Sequence, residues 1–219
     1  MTAEQLITNT IIPLRTSDTG EDALSLMNEF YIRHLPIVNN EQLLGLISED
    51  DILDHDVEGA VGSYALSMIR PYAKYNDHIF ELLRLIAEYH LTVIPVVDAE
   101  KNYIGMVTME AIVQYFSETS AFSEPGSILV IEVSKRDYML SEIARIVESE
   151  GATVLNSFIT SKMDSMQMDV TIKINRQHVQ SIIATFERYD YIIKATFNET
   201  EYVDALKERY DALMSYLNV

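Results

Sequence analysis

Apolar positions in the first 120 residues follow a pattern that occurs twice. Ala23, Leu24, Met27 and Phe30 are spaced as one face of a helix, and Leu82, Leu83, Ile86 and Tyr89 repeat that spacing downstream. Each helical stretch is followed by a short apolar run with proline near its start, Leu35-Pro36-Ile37-Val38-Asn39 and then Ile94-Pro95-Val96-Val97-Asp98. These read as strands in which the lost proline N–H is tolerated. A polar turn leads to a second strand carrying glycine, Leu44-Gly45-Leu46-Ile47-Ser48 and Ile104-Gly105-Met106-Val107-Thr108. A second helix is predicted from Glu49 and from Met109, with Ser48 and Thr108 at the capping position. Asp18 and Asp77 are expected at the cap of the first helix of each copy or next to it. The unit is β-α-β-β-α, and it is about 60 residues long.

After residue 117 the pattern breaks at Ser, Thr and Glu residues and at Pro125-Gly126, which reads as a linker. A new pattern then begins. Ile128 to Val133 is an apolar strand; Leu140, Ile143, Ala144 and Val147 line a helix that Gly151 ends. Residues 152–162 and 166–174 read as strands, the latter alternating Met168, Val170, Ile172 and Ile174 to one side. Asn175 is the expected cap of a helix with Val179, Ile182, Ile183 and Phe186 inward, and residues 191–197 are the last strand. This βαββαβ order is ferredoxin-like. The tail, residues 201–217, places Leu206, Tyr210, Leu213 and Leu217 on one helical stripe. Two heptads are too few for an independent coiled coil, so the stripe is expected to pack on its own sheet or across a dimer interface. The expected fold class is α+β / α/β, divided into residues 1–58, 59–120, 126–199 and 200–219.

The two registered copies resemble the CBS domain, and the tandem resembles a CBS pair. The resemblance implies a regulatory module that binds an adenosine-containing ligand in clefts between its repeats. It further implies that a Ser/Thr-x-x-Asp element after the glycine strand meets phosphate and ribose. The first copy has this element, Ser48-Glu49-Asp50-Asp51; the second reads Thr108-Met109-Glu110-Ala111, where Ala111 cannot accept a ribose hydrogen bond. By the same resemblance, Ile11 and Ile12 on the first short strand, residues 10–13, face the adenine, residues 32–35 line the same cleft, and Arg33 and His34 offset phosphate. Ser48 and Asp51 equally suit a helix cap and a first-turn acid. The ligand expected is AMP, ADP, ATP or another adenosine derivative, with no further cofactor.

The third segment resembles an ACT domain through Leu140-Ser141-Glu142-Ile143-Ala144 and Glu150-Gly151-Ala152. That family's D-x-P-G-x-L ligand loop would fall on residues 135–140, where Asp137 replaces the proline and Tyr138 the glycine. The resemblance therefore implies dimerisation more than amino-acid binding. The order of modules is similar to that of acetoin-utilisation-type CBS–ACT regulatory proteins. That order implies metabolic regulation of a target protein that the sequence does not identify, and the resemblance to CBS pairs and to ACT sheets with a free edge implies a homodimer or a higher even oligomer.

Charge narrows the partners. The chain has 34 acidic and 16 basic side chains, a formal net charge of −18, so duplex nucleic acid is not an expected partner. There is no cysteine, which removes disulfides, thiolate metal sites and cysteine nucleophiles and makes the cytoplasm the expected compartment. Residues 1–10 are polar and do not read as a secretory signal, and no apolar run approaches a membrane span. The acids at Glu49, Asp50, Asp51, Asp54, Asp56 and Glu58 lack calcium-loop spacing, and His34, His55, His78, His90 and His178 lack metal-ligand spacing. No P-loop, G-x-S-x-G, H-E-x-x-H or G-x-G-x-x-G motif is present, so a sensor or a dimerisation scaffold is expected rather than an enzyme using acids such as Asp50 and Asp51.

Overall fold

The computed structural model describes residues 1–64, 71–161, 164–198, 214 and 216. The apolar stripe expected in the tail lies outside the described residues apart from these last two positions. The chain divides into two compact units, Met1–Tyr115 and Phe116–Val219.

The first unit holds the two repeats. The first copy comprises α1 (Gly20–Glu29), β1 (His34–Asn39), β2 (Gln42–Ser48) and α2 (Glu49–Leu53). The second comprises β3 (Ala73–Lys74), α3 (Ile79–Tyr89), β4 (Val93–Val97), β5 (Tyr103–Thr108) and α4 (Met109–Ser117). The repeat extends to the register of the sheets. Pro36 lies opposite Leu46 and Ile37 opposite Gly45; Pro95 lies opposite Met106 and Val96 opposite Gly105. Both hairpins bulge immediately after the residue facing glycine, between Ile37 and Val38 and between Val96 and Val97. β4 is buried along its whole length, as its unbroken apolar run requires.

Proline sets where pairing stops. Leu14 donates to the Pro36 carbonyl at 2.9 Å and accepts from Val38 at 2.8 Å, a single parallel rung. The next rung upstream would need an N–H from Pro36, so the chain leaves the sheet there and Ile12 is exposed. The expected first strand at residues 10–13 is accordingly reduced to the Leu14 bridge.

The caps of α1 and α3 are the residues immediately after Asp18 and Asp77. Thr19 caps α1, accepting from Asp22 N–H at 3.1 Å while Asp22 Oδ2 accepts from Thr19 N–H at 3.0 Å. His78 caps α3, its Nδ1 accepting from Phe80 N–H at 3.3 Å. Asp18 and Asp77 instead close the turn before each helix, accepting from the backbones of Arg15 and Lys74, both at 2.8 Å. Ser48 and Thr108 cap α2 and α4 as the pattern implied.

The second unit begins with the last residues of α4 and α5 (Ser120–Ser123), a short helix within the expected linker. Strands β6 (Ser127–Ser134), β7 (Val154–Ser161), β8 (Gln167–Ile174) and β9 (Ile192–Asn198) form one antiparallel sheet in the order β7-β8-β6-β9. With α6 (Leu140–Ser149) and α7 (Gln180–Arg188), this is the ferredoxin-like arrangement. Leu129, Ile131, Val170 and Ile172 face Ile143, Val147, Ile182 and Phe186 in one closed core. Burying each such side chain stabilises the unit by about 1.5–3 kcal/mol. Gly151 takes a φ of +70° after α6. Asn175 does not cap α7: its Oδ1 accepts from Thr153 N–H at 2.7 Å, and α7 starts five residues later.

Candidate ligand cleft

The residues before Leu14 form a strap laid across the second repeat. Ala3 donates to the Asp77 carbonyl and Glu4 to that of Tyr75, both at 2.9 Å, while Ile79 donates to the Met1 carbonyl at 3.2 Å. Thr8 then donates to the Met106 carbonyl at 2.9 Å, which brings the strap onto β5 beside Gly105. Gly105 has a φ of +147°, and a Cβ built there would lie 2.4 Å from Ile7 Cγ2. The strap seats only because this residue has no side chain.

Past that point the strap walls a cleft of about 520 Å³ within the first unit. Thr8, Thr10 and Ile11 come from the strap, and Phe30, Tyr31 and Ile32 from the end of α1. Thr92 precedes β4, and Thr108 to Ala111 with Val113 and Gln114 supply the cap and first turns of α4. Both repeats therefore contribute. Tyr31 stands at the rim, 92% exposed, with a φ of +53°, the left-handed region where glycine or asparagine usually ends a helix. Its counterpart His90 shares that geometry at the end of α3, with a φ of +52°.

The floor is polar but short of charge. Thr108 Oγ1 accepts from Ala111 N–H at 3.0 Å, leaving its own O–H as a donor. Met109 N–H donates to the Thr92 carbonyl at 2.9 Å, as Glu49 N–H does to that of Arg33 at 2.9 Å, so Thr92 and Arg33 are counterparts. At the seam between the copies, Arg33 N–H donates to Thr92 Oγ1 at 2.9 Å, and Thr92 N–H donates to His34 Nδ1 at 3.3 Å. His34 is 8% exposed. Burial pushes its pKa below the ordinary histidine value and the neighbouring Arg33 charge adds to this, with Asp51 and Asp50 opposing.

The grouping expected from sequence is not the one observed. Ile11 and Ile32 line the cleft of Thr108, in the second repeat, and not a cleft with Ser48 and Asp51. Ile12 turns away, 69% exposed, onto a groove with Arg15, Thr16 and Asn39. Arg33 pairs with Glu49 at 2.8 Å and lies 3.5 Å from Asp50, and His34 is packed on Thr92; neither reaches toward Ile11 to offset phosphate. Ser48 and Asp51 form a reciprocal cap. Asp51 is 4% exposed, and its Oδ2 accepts from Ser48 N–H at 2.9 Å and from Ser48 O–H at 2.7 Å. Thr8, Phe30, Tyr31, Val113 and Gln114 were not among the expected site residues. The signals for them were a glycine strand inviting close approach and an aromatic residue at a helix end.

In the second unit, Glu132, Asp137, Glu142, Asp190 and Tyr191 border a groove of about 330 Å³ beside the loop before α6. Tyr138 packs against the core, filling the space a glycine would leave. Tyr191 O–H donates to Glu142 at 3.0 Å; burial, then this hydrogen bond, pushes its pKa up to about 12. Among the described residues no cluster of three or more histidine, aspartate or glutamate side chains could hold a metal ion, and no helix is long and apolar enough to cross a membrane.

The chain is 30% identical over 115 residues to a homoserine O-acetyltransferase of Methanococcus vannielii, a match covering 50% of this chain and 23% of that protein. It is 22% identical over 149 residues to an inosine-5'-monophosphate dehydrogenase of Methanocaldococcus jannaschii, covering 68% and 30%. The chain thus spans less than a third of the length of these curated relatives. Among solved structures, a CBS domain pair/ACT domain protein from Thermotoga maritima matches with a TM-score of 0.48 and 22% identity, covering 54% of this chain and 98% of that one. CBSX2, solved in complex with AMP, matches with a TM-score of 0.45 and 24% identity, covering 52% and 95%. The family model of the CBS domain matches residues 3–58 and again 61–118, just over half of the chain and both copies of the repeat. The chain belongs to the CBS domain family and carries two of these domains in tandem.

Proposed function

We propose that this chain is a cytoplasmic regulatory sensor whose CBS pair binds an adenosine-containing nucleotide or related adenosine derivative. Its ACT-like unit would pass the occupancy on, as a homodimer, to a target protein. The observation that carries this reading is the cleft of about 520 Å³, which is within the size range of small-molecule sites. Its wall has two characters suited to a nucleoside. Ile11, Ile32, Met109 and Val113 offer apolar surface to a base, with the Tyr31 ring at the rim. The hydroxyls of Thr8, Thr10 and Thr108 offer donors and acceptors to a neutral sugar, while that of Thr92 is held by Arg33 N–H and His34 Nδ1. Because the wall joins the strap, the end of α1 and the start of α4, a ligand there would hold three separately tethered elements together.

The test is thermal unfolding and calorimetry of the full chain with adenosine, AMP, ADP, ATP, NAD and S-adenosylmethionine. A ligand at 100 times its Kd should stabilise the native state by about 2.7 kcal/mol. Ala111→Phe, which fills the cleft from α4, should abolish the effect. Absence of any shift with all six compounds overturns the reading.

A second reading, a dimerisation module without ligand, is supported by the sheet face turned away from α6 and α7. There Phe158, Ile192 and Phe197 are each more than half exposed, beside Ile128 and Val130. Light scattering that gives a dilute 25.0 kDa monomer would remove both this reading and the dimeric part of the first.

A further inference from the structure

The charge of the cleft restricts its ligand further than its size does. Among the described residues lining it no side chain is basic, and the one ionisable acid is Glu110. The repeat explains the missing cation. Thr92 occupies the place that Arg33 has in the first copy, and Arg33 itself is turned onto Glu49 and Asp50. His34 is buried at the seam, its imidazole against Thr92 rather than facing the cleft. Glu110 is the second residue of α4, so a carboxylate already sits at the helix end whose dipole would otherwise favour an anion. A phosphate entering here would leave water for apolar side chains, a few hydroxyls and one like charge, with no cation on the lining to offset its desolvation.

Resting on the adenosine reading above, we infer that this cleft takes the uncharged nucleoside and discriminates against its phosphates, with Glu110 and Thr92 setting the preference. The selection is by penalty: the hydroxyls serve a sugar as well as they serve a phosphate, but the carboxylate repels only the latter.

The inference is tested by calorimetry on the full chain with adenosine, AMP and ATP. Each affinity is taken as the component that Ala111→Phe abolishes, which confines it to this cleft. Adenosine should bind about fivefold or more tightly than AMP, and AMP more tightly than ATP. Glu110→Lys, at an exposed position, should raise the ratio of AMP affinity to adenosine affinity about fivefold or more. Higher salt should narrow the gap between adenosine and ATP in the wild type. AMP or ATP binding tighter than adenosine, or a Glu110→Lys variant with no gain for AMP relative to adenosine, overturns the charge selection alone. Loss of all three ligands overturns the adenosine reading together with it.

Discussion

Replacing Gly105 by alanine tests how the strap and the cleft are joined. The added Cβ would lie 2.4 Å from Ile7 Cγ2 and 3.3 Å from Asn9 Oδ1, and the residue must hold a φ of +147°. The dihedral penalty for a residue with a side chain is about 1–3 kcal/mol. Overpacking against Ile7 adds about 1–3 kcal/mol. The two costs are not fully additive, because lifting the strap relieves the contact but not the dihedral. The expected loss is therefore about 2–4 kcal/mol, or about 8–16 °C in the melting temperature of a unit of this size. Amide exchange distinguishes a lifted strap from a uniformly weakened unit. Thr8 N–H, bonded to the Met106 carbonyl at 2.9 Å, should lose protection before the amides of β4 do. Ligand binding should weaken in parallel, since Thr8, Thr10 and Ile11 leave the wall. Ile7→Ala in the Gly105→Ala background should recover the contact part, about 1–2 kcal/mol of coupling, and leave the dihedral part. A Gly105→Ala protein that melts with the wild type and keeps Thr8 protected would refute the reasoning.

Three further outcomes are expected. Tyr31→Gly should stabilise the protein by about 0.5–1 kcal/mol in urea unfolding, by relieving the left-handed backbone, yet weaken adenosine binding by about 2–10-fold in calorimetry; tighter binding would contradict the rim role. Asp51→Ala should lower stability by about 1–2 kcal/mol through loss of the reciprocal cap, while affinity at the Ala111→Phe-sensitive cleft stays within about twofold. His34 has a lowered pKa in the folded state, so the unfolded chain binds its proton first as pH falls; unfolding free energy should drop from about pH 6.5 downward and be insensitive to this group above it. His34→Gln should flatten that slope between pH 7 and 5, and an unchanged slope would show that the buried imidazole is not its source.

The repeat was legible because its signals are local. Proline, glycine and the capping hydroxyl are fixed within short strands, and the hairpins keep the same register and the same bulge in both copies. The aspartates stand beside the caps for an equally local reason: Asp18 and Asp77 satisfy the backbone three residues before them, so the next residue becomes the cap. The site was less legible because its wall is not local. Thr8 meets Met106, nearly 100 residues downstream, and no periodicity encodes which copy the strap will lie on. The glycine of β5 was read as a family mark, whereas its physical content is a chain crossing over it.

The same non-locality changes what a departure from the motif means. Read along the chain, Ala111 is a loss, because it removes the carboxylate that Asp51 supplies in the first copy. In the fold, Asp51 turns that carboxylate back onto Ser48 and is almost wholly buried. Thr108 has no such partner three residues on; it keeps the cap through Ala111 N–H alone, and the small side chain leaves room beside it. Helix capping needs only the hydroxyl, so the position three residues later is free to change without loss of the fold. An acid there closes the cap and adds charge; an alanine opens space and removes charge. One duplicated scaffold therefore carries two unlike surfaces at equivalent places, and the copy with the weaker motif is the one in which threonines, an exposed tyrosine and the strap converge on a cleft.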